Sequence, residues 1–159
     1  MEKFEFNNQN LEKSKEIISK YPQKRSAILP LLDIAQRQNG GWLSSDCIAY
    51  VADMVEISYM RAYEVVTFYT MFNLKPVGKY HIQVCGTTPC CIMGAEEIKE
   101  KIKSKLGIDF GETTENKNFT LTEVECLGAC VNAPVIQIND DYYECLSEDK
   151  INDIIDKLN

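Results

Sequence analysis

The chain has 159 residues, of which 45% are hydrophobic and 26% charged, and its net charge is −7. This composition is typical of a globular protein and excludes a disordered chain. No apolar run approaches the length of a membrane-spanning helix, and the first residues resemble neither a signal peptide nor a transit peptide, so we predict an intracellular protein without direct membrane insertion.

Residues 1–75 show helical periodicity and are predicted to form an N-terminal helical domain. Four helices are predicted there, over residues 8–20, 26–39, 44 or 45 to 54, and 58–72. Tyr21-Pro22 ends the first helix, because a residue before proline disfavours the helical conformation. Gly40-Gly41 ends the second helix. Either Ser44 or Ser45 begins the third helix.

Strand patterns appear in residues 76–159, which we predict to be a second domain. The predicted elements are a strand at 80–84, a helix at 90–106, a strand at 119–124, strands at 135–138 and 142–146, and a helix that Ser147 caps and that ends at residue 158. The turn of the hairpin is predicted at Asn139-Asp140-Asp141. This order predicts an α+β or α/β fold with helices over a small mixed sheet.

Two cysteine pairs carry the chemical signal of this sequence. Cys85 and Cys90 have four residues between them, Cys126 and Cys130 have three, and each pair follows a predicted strand. In a reducing compartment, clustered cysteines more often bind metal or do redox chemistry than form disulfides. An iron–sulfur cluster needs four thiolates that converge from loops. The pattern therefore favours one [2Fe–2S] cluster held by these four cysteines.

The residues between the cysteines suit a negatively charged cluster. Small residues that permit close backbone approach lie in both loops: Gly86, Gly128 and Ala129. The predicted N–H donors to sulfur are those of Thr87, Thr88 and Gly128. Pro89 favours a helix that begins at or near Cys90, and the helix N-terminus is expected to lower the pKa of that thiol.

Other interpretations of the cysteines remain open at this stage. A structural zinc site is compatible with the spacings, although no Cys-x-x-Cys knuckle is present, and four unligated core cysteines are the simplest alternative. A Rieske centre is excluded because His81 is the only histidine. Cys91 could replace Cys90 as a ligand. Cys47 and Cys145 are expected to be small core residues.

Four segments of the sequence carry a family resemblance. VCGTTPC, LGAC with VNAPVIQIN directly after it, AILPLLDIAQRQNGGWL and EVVTFYTMFNLKPVGKYHIQVC together resemble the thioredoxin-like [2Fe–2S] subunit of respiratory complex I, the NADH:quinone oxidoreductase. The resemblance runs from about Ser26 to the C-terminus. Related subunits of NAD-dependent hydrogenases and formate dehydrogenases are not excluded by these motifs.

This resemblance implies a helical bundle followed by a thioredoxin-like ferredoxin domain. It implies that Cys85, Cys90, Cys126 and Cys130 are the cluster ligands and that Cys91 is not one. It also implies that the partners of this chain are a flavoprotein subunit, which binds FMN and NADH, and other peripheral-arm subunits of the complex. This chain alone is then expected to have no complete active site and no catalytic residue. The expected location is cytoplasmic, peripheral on the inner membrane through the complex.

Charge is distributed unevenly along the chain. Residues 1–75 carry 9 basic and 9 acidic side chains, whereas residues 76–159 carry 8 basic and 15 acidic ones. This balance argues against nucleic acid as a partner, and against interpreting the N-terminal helices as a DNA-binding helix-turn-helix, and it favours a basic protein surface. Glu123 and Glu125 are expected to make a nearby cluster harder to reduce.

Overall fold

The computed structural model describes residues 3–158 and divides the chain into two compact units. The first unit ends at Pro76 and the second begins at Val77. In the described part of the chain, no helix combines the length and the apolar character that crossing a bilayer requires.

The first unit is helical. Its elements are α1 (Asn8–Ser19), a 3-10 turn (Lys24–Ala27), α2 (Ile28–Gln38), α3 (Ser45–Met54) and α4 (Tyr59–Phe68). Three of the helices begin where polar side chains accept N–H groups of the first turn: Asn7 caps α1, Ser44 caps α3 and Ser58 caps α4. The sequence allows either Ser44 or Ser45 to cap α3, and in the structure Ser44 is the cap.

Two predicted helix boundaries in this unit are wrong. Ser26 does not begin the second helix, because it lies in the 3-10 turn before α2. The fourth helix stops at Phe68 instead of residue 72, since Tyr69 has an extended backbone. Gln36 holds the segment that follows: its side chain donates to the Met71 carbonyl at 3.0 Å and accepts from the Asn73 N–H at 2.7 Å.

The second unit is a four-stranded mixed sheet with helices. Its elements are β1 (Tyr80–Cys85), α5 (Thr88–Ile92), α6 (Ala95–Leu106), β2 (Phe119–Val124), a 3-10 turn (Cys130–Asn132), β3 (Ile136–Ile138), β4 (Asp141–Tyr143) and α7 (Glu148–Leu158). The strand order is β2-β1-β3-β4, with β1 parallel to β2 and the other pairs antiparallel. This confirms the predicted mixed α and β architecture.

The sheet and the two longer helices share one hydrophobic core. Apolar side chains of α6 and α7 pack with those of the strands in a single buried cluster that includes Ile82, Val84, Ile98, Ile102, Phe119, Leu121, Ile136, Ile138, Ile151 and Ile155. Ile82 and Val84 alternate with polar residues along β1, so one face of this strand fixes its register against the core. That register determines where β1 ends, at Cys85.

The second unit corrects three further predictions. The single helix predicted over residues 90–106 is two helices, because Gly94 between them has a left-handed backbone with φ +94°. The hairpin turn is shorter than predicted, since Ile138 pairs directly with Asp141 and leaves Asn139-Asp140 as the loop. β4 ends at Tyr143, before Cys145, whose φ is +49°.

Candidate metal centre

Cys85 and Cys90 lie at the point where β1 turns into α5. Cys85 is the last residue of β1. The helix α5 begins three residues later and contains Cys90, which lies next to Cys85. Each of the two cysteines is 1% exposed, and their thiols are hydrogen-bonded to each other. The first cysteine pair is therefore buried and compact.

Cys126 and Cys130 lie in the loop after β2, at the same edge of the sheet. Cys85 pairs with Val124 at the end of the parallel β1–β2 ladder, so the chain leaves both strands side by side. The Sγ atoms of Cys126 and Cys130 are 3.8 Å apart, and both residues are exposed. Gly128 makes this tight loop possible with a φ of +80°.

The two loops contact each other through backbone and sulfur. The Leu127 N–H donates to the sulfur of Cys85, and Leu127 and Ala129 pack on the buried group that contains Cys85 and Cys90. Cys130 interacts electrostatically with both buried thiols. The fold thus brings together four cysteines from loops that are 35 residues apart in sequence.

The two buried thiols have different acidities. Burial opposes ionisation of Cys85, but hydrogen bonds from the hydroxyl and the N–H of Thr87 lower its pKa to about 7. Burial, followed by the hydrogen bond with Cys85, raises the pKa of Cys90 to about 11. The prediction that a helix N-terminus lowers the pKa of Cys90 is therefore wrong, because Cys90 is buried at the third position of a five-residue helix.

The exposed pair is held by its own hydrogen bonds. A hydrogen bond with Cys126, together with the negative charge of the Cys126 thiolate, raises the pKa of Cys130. The Gly128 N–H donates to the sulfur of Cys126 at 3.3 Å. The second cysteine pair is therefore held by contacts within its own loop.

Backbone N–H groups donate to the cysteine sulfurs, as a negatively charged cluster requires. Two of the three predicted N–H donors contact a cysteine sulfur: Thr87 and Gly128. The third predicted donor, Thr88, is the first residue of α5. Sequence reasoning missed Leu127 and Val135, whose N–H groups reach Cys85 and Cys90. Neither has a local signal in the sequence, because each reaches a cysteine that is distant along the chain.

The other three cysteines lie in different environments. Cys47 is fully buried in the helical unit, as predicted. Cys145 is exposed, so the prediction of a core residue is wrong, and the cause is the early end of β4. Cys91 is half-buried, and its sulfur points to the Gly86 carbonyl at 3.4 Å and to Glu96 at 3.5 Å.

The donor set fits a binuclear cluster. Within residues 3–158, no three His, Cys, Asp or Glu side chains are grouped so that they could hold a single metal ion. The thiols form two pairs instead, and two thiolates for each of two irons are what a four-cysteine [2Fe–2S] cluster needs. Sulfur donors and surrounding N–H groups match the chemistry of that group.

Fold and site together define an iron–sulfur protein of the ferredoxin class. The sequence profile of the thioredoxin-like [2Fe-2S] ferredoxin family matches residues 14–159, and the chain belongs to this family. Membership confirms the predicted thioredoxin-like fold and the predicted cofactor, one [2Fe–2S] cluster.

Two similar proteins are named as components of NADH dehydrogenases, and a hydrogenase chain shares the fold. The chain is 65% identical to a subunit of the NADH-quinone oxidoreductase of Rickettsia conorii, over 98% of this chain and 94% of that protein. It is 52% identical to the mitochondrial NADH dehydrogenase [ubiquinone] flavoprotein 2 of Dictyostelium discoideum, over 98% of this chain and 64% of that protein. An NAD+-reducing [NiFe]-hydrogenase shares the fold, with a TM-score of 0.71 at 20% identity over 81% of this chain and 22% of that one.

Proposed function

We propose that this chain is the electron-transfer subunit of an NADH:quinone oxidoreductase, and that Cys85, Cys90, Cys126 and Cys130 bind its [2Fe–2S] cluster. The observation that carries the proposal is the convergence of two cysteine pairs at one edge of the sheet, in a family of [2Fe–2S] proteins. Relatives that are 65% and 52% identical support this enzyme. The alternative is a diaphorase subunit of a hydrogenase or formate dehydrogenase; for the hydrogenase, a likeness of fold alone gives support.

The protein would hold the cluster between a buried side and an open side. The cluster would supply a centre that accepts and returns one electron at a time. Cys85 and Cys90 exclude water on the inner side, whereas Cys126 and Cys130 lie at the surface. Electron exchange with a partner would therefore take place through the exposed pair, while N–H groups from both loops offset the negative charge of the thiolates.

The partner would be the flavoprotein subunit that carries FMN and oxidises NADH, and this chain would lie at the cytoplasmic face of the membrane through the complex. Exposed apolar side chains next to the cysteines support a protein partner at this edge: Ile92 is 77% exposed, Met93 60% and Val131 98%. Apolar side chains grouped at a surface mark interaction sites. The sequence contains no glycine-rich phosphate loop of its own for a dinucleotide.

The test is a set of single alanine substitutions in the full chain, produced together with its partner subunits. Each of Cys85→Ala, Cys90→Ala, Cys126→Ala and Cys130→Ala should abolish the paramagnetic signal of the reduced binuclear cluster, because each removes one iron ligand. Iron and sulfide should fall in parallel. Cys91→Ala is the matched control and should keep both the signal and the iron content.

Three results would contradict this assignment. An unchanged spectrum in Cys130→Ala would remove that residue from the ligand set, and a lost signal in Cys91→Ala would place Cys91 there instead. Zinc in place of iron and sulfide in the wild-type chain would replace the electron carrier with a structural zinc protein.

A further inference from the structure

A buried lysine lies behind the loop that carries the first two cysteines. Lys99 belongs to α6, where it is 5% exposed among core residues such as Ile98 and Ile102. Its Nζ atom is 2.6 Å from a carboxylate oxygen of Glu123 and 2.7 Å from one of Glu96. A buried ammonium group is costly unless it is paired, so these two contacts explain how the lysine is accommodated in the core.

Glu123 connects this lysine to the loop between Cys85 and Cys90. The Glu123 carboxylate lies directly against Gly86, where a Cβ atom would collide with it. Gly86 is fixed from the other side, since its N–H donates to the Val124 carbonyl at 2.8 Å. The residue that follows Cys85 is thus held between the end of β2 and a carboxylate that Lys99 fixes.

Glu96 makes the second connection. It accepts a hydrogen bond from Lys99 and lies 3.5 Å from the sulfur of Cys91, which follows Cys90 in α5. The Cys91 sulfur also contacts the Gly86 carbonyl at 3.4 Å. Through its two carboxylates, Lys99 is therefore linked to the neighbours of both buried cysteines.

The charges in this group bear on electron transfer. One lysine and two glutamates carry a net charge of about −1, and removal of the lysine would leave about −2 beside the loop. The Glu123 side chain is 43% exposed and the Glu96 side chain 63%, so solvent reaches both carboxylates. An oxidised [2Fe–2S] cluster with four thiolates is itself negative, and added negative charge nearby disfavours its reduction.

We propose that Lys99 is a positioning residue that braces the Cys85–Cys90 loop through Glu123 and Glu96, and that its charge keeps the reduction potential of the cluster from falling. This inference rests on the proposed function. The sequence alone predicts that the negative charge of Glu123 makes the cluster harder to reduce. While Lys99 is present, its positive charge offsets part of that effect.

The experiment is a redox titration of the reduced-state paramagnetic signal in the assembled complex. Lys99→Met should shift the midpoint potential downward, since two carboxylates lose their counter-charge. Glu123→Gln should shift it upward, and Lys99→Arg should stay near the wild type. Lys101→Met is the matched control, because Lys101 lies on the same helix but pairs with Glu148 at 3.5 Å, and it should leave the potential unchanged.

Midpoint potentials that shift in opposite directions in Lys99→Met and Glu123→Gln distinguish an electrostatic role from a merely structural one. Equal midpoint potentials in wild type, Lys99→Met and Glu123→Gln would overturn the inference, as would shifts in the same direction. If Lys99→Met does not assemble, Glu123→Gln decides, and an unshifted potential there overturns the inference. A wild-type complex without any binuclear signal from this chain would overturn the proposed function itself, which is a different result.

Discussion

Cys85 and Cys90 show how local contacts decide what a buried thiol can do. Both are nearly inaccessible, yet the pKa of Cys85 is lowered to about 7 and that of Cys90 is raised to about 11. Thr87 donates two hydrogen bonds to the first sulfur, and the second sulfur has Cys85 as its neighbour. Since metals bind thiolates, iron held by Cys90 as proposed would displace the proton of this thiol and would stabilise the charged form that burial disfavours.

His81 gives a prediction about pH and stability. Burial lowers the pKa of His81 below its usual value of 6.5, and its Nε2 atom is 2.8 Å from the Thr122 hydroxyl. The unfolded chain therefore binds a proton more readily than the folded protein. Above pH 6.5 there is no penalty, and as the pH falls below that value the folded state loses stability until His81 itself is protonated.

We expect His81→Gln to reduce the loss of stability between about pH 7.5 and about pH 5.5, because glutamine has no proton to gain. The free energy of unfolding from urea titrations at both pH values measures this. Carboxylates titrate alike in the two proteins, so the difference isolates the histidine. An identical loss in both would show that His81 does not contribute.

At the scale of elements, the start of α3 offers a direct test of a helix cap. The Ser44 hydroxyl accepts the Cys47 N–H at 3.2 Å, while Ser45 is an exposed first residue of the helix. Ser44→Ala should lower the free energy of unfolding by about 1 kcal/mol, because one N–H of the first turn loses its partner. Ser45→Ala is the matched control, and equal losses in the two variants would contradict the assignment.

Periodicity and turn residues predict elements well where local sequence decides the conformation. The bounds of β2 agree with the prediction, because its strand pattern ends where the cysteine loop begins. Where the prediction is wrong, a distant residue or a backbone break intervenes. Gln36 binds the chain after Phe68, so α4 ends early, and a helical pattern around Gly94 hides the break that separates α5 from α6.

The site shows the same division between local and distant signals. Cysteine type and spacing predict the donor set, because a [2Fe–2S] cluster without a pair of histidine ligands needs four thiolates. The groups that surround those donors are not predictable: Val135 reaches Cys90 from beyond the second loop, and Lys99 occupies a position of α6 that would suit an apolar residue. Only the three-dimensional structure shows that Val135 reaches Cys90 and that Lys99 is linked to the cysteine loop through Glu123 and Glu96.

For the whole molecule, the uneven charge predicts how it meets its partner. The net charge of −7 falls within residues 76–159, and exposed apolar residues such as Ile92 and Val131 lie at the cysteine loops of that region. An apolar contact surface within a negatively charged unit fits a partner surface whose rim is basic. Charge then steers the encounter, and apolar contacts hold the complex together.

We expect the association rate constant with the proposed flavoprotein partner to fall by about tenfold between about 0.05 and about 0.5 M NaCl, because salt screens attraction over distances longer than a few ångströms. Stopped-flow or surface-binding kinetics measure the rate. Glu125→Gln, at an exposed residue beside Cys126, should weaken this salt dependence, whereas Glu12→Gln in the charge-balanced first half should not. A rate that does not change with salt would mean that apolar contact alone selects the partner, and that the acidic charge serves solubility instead.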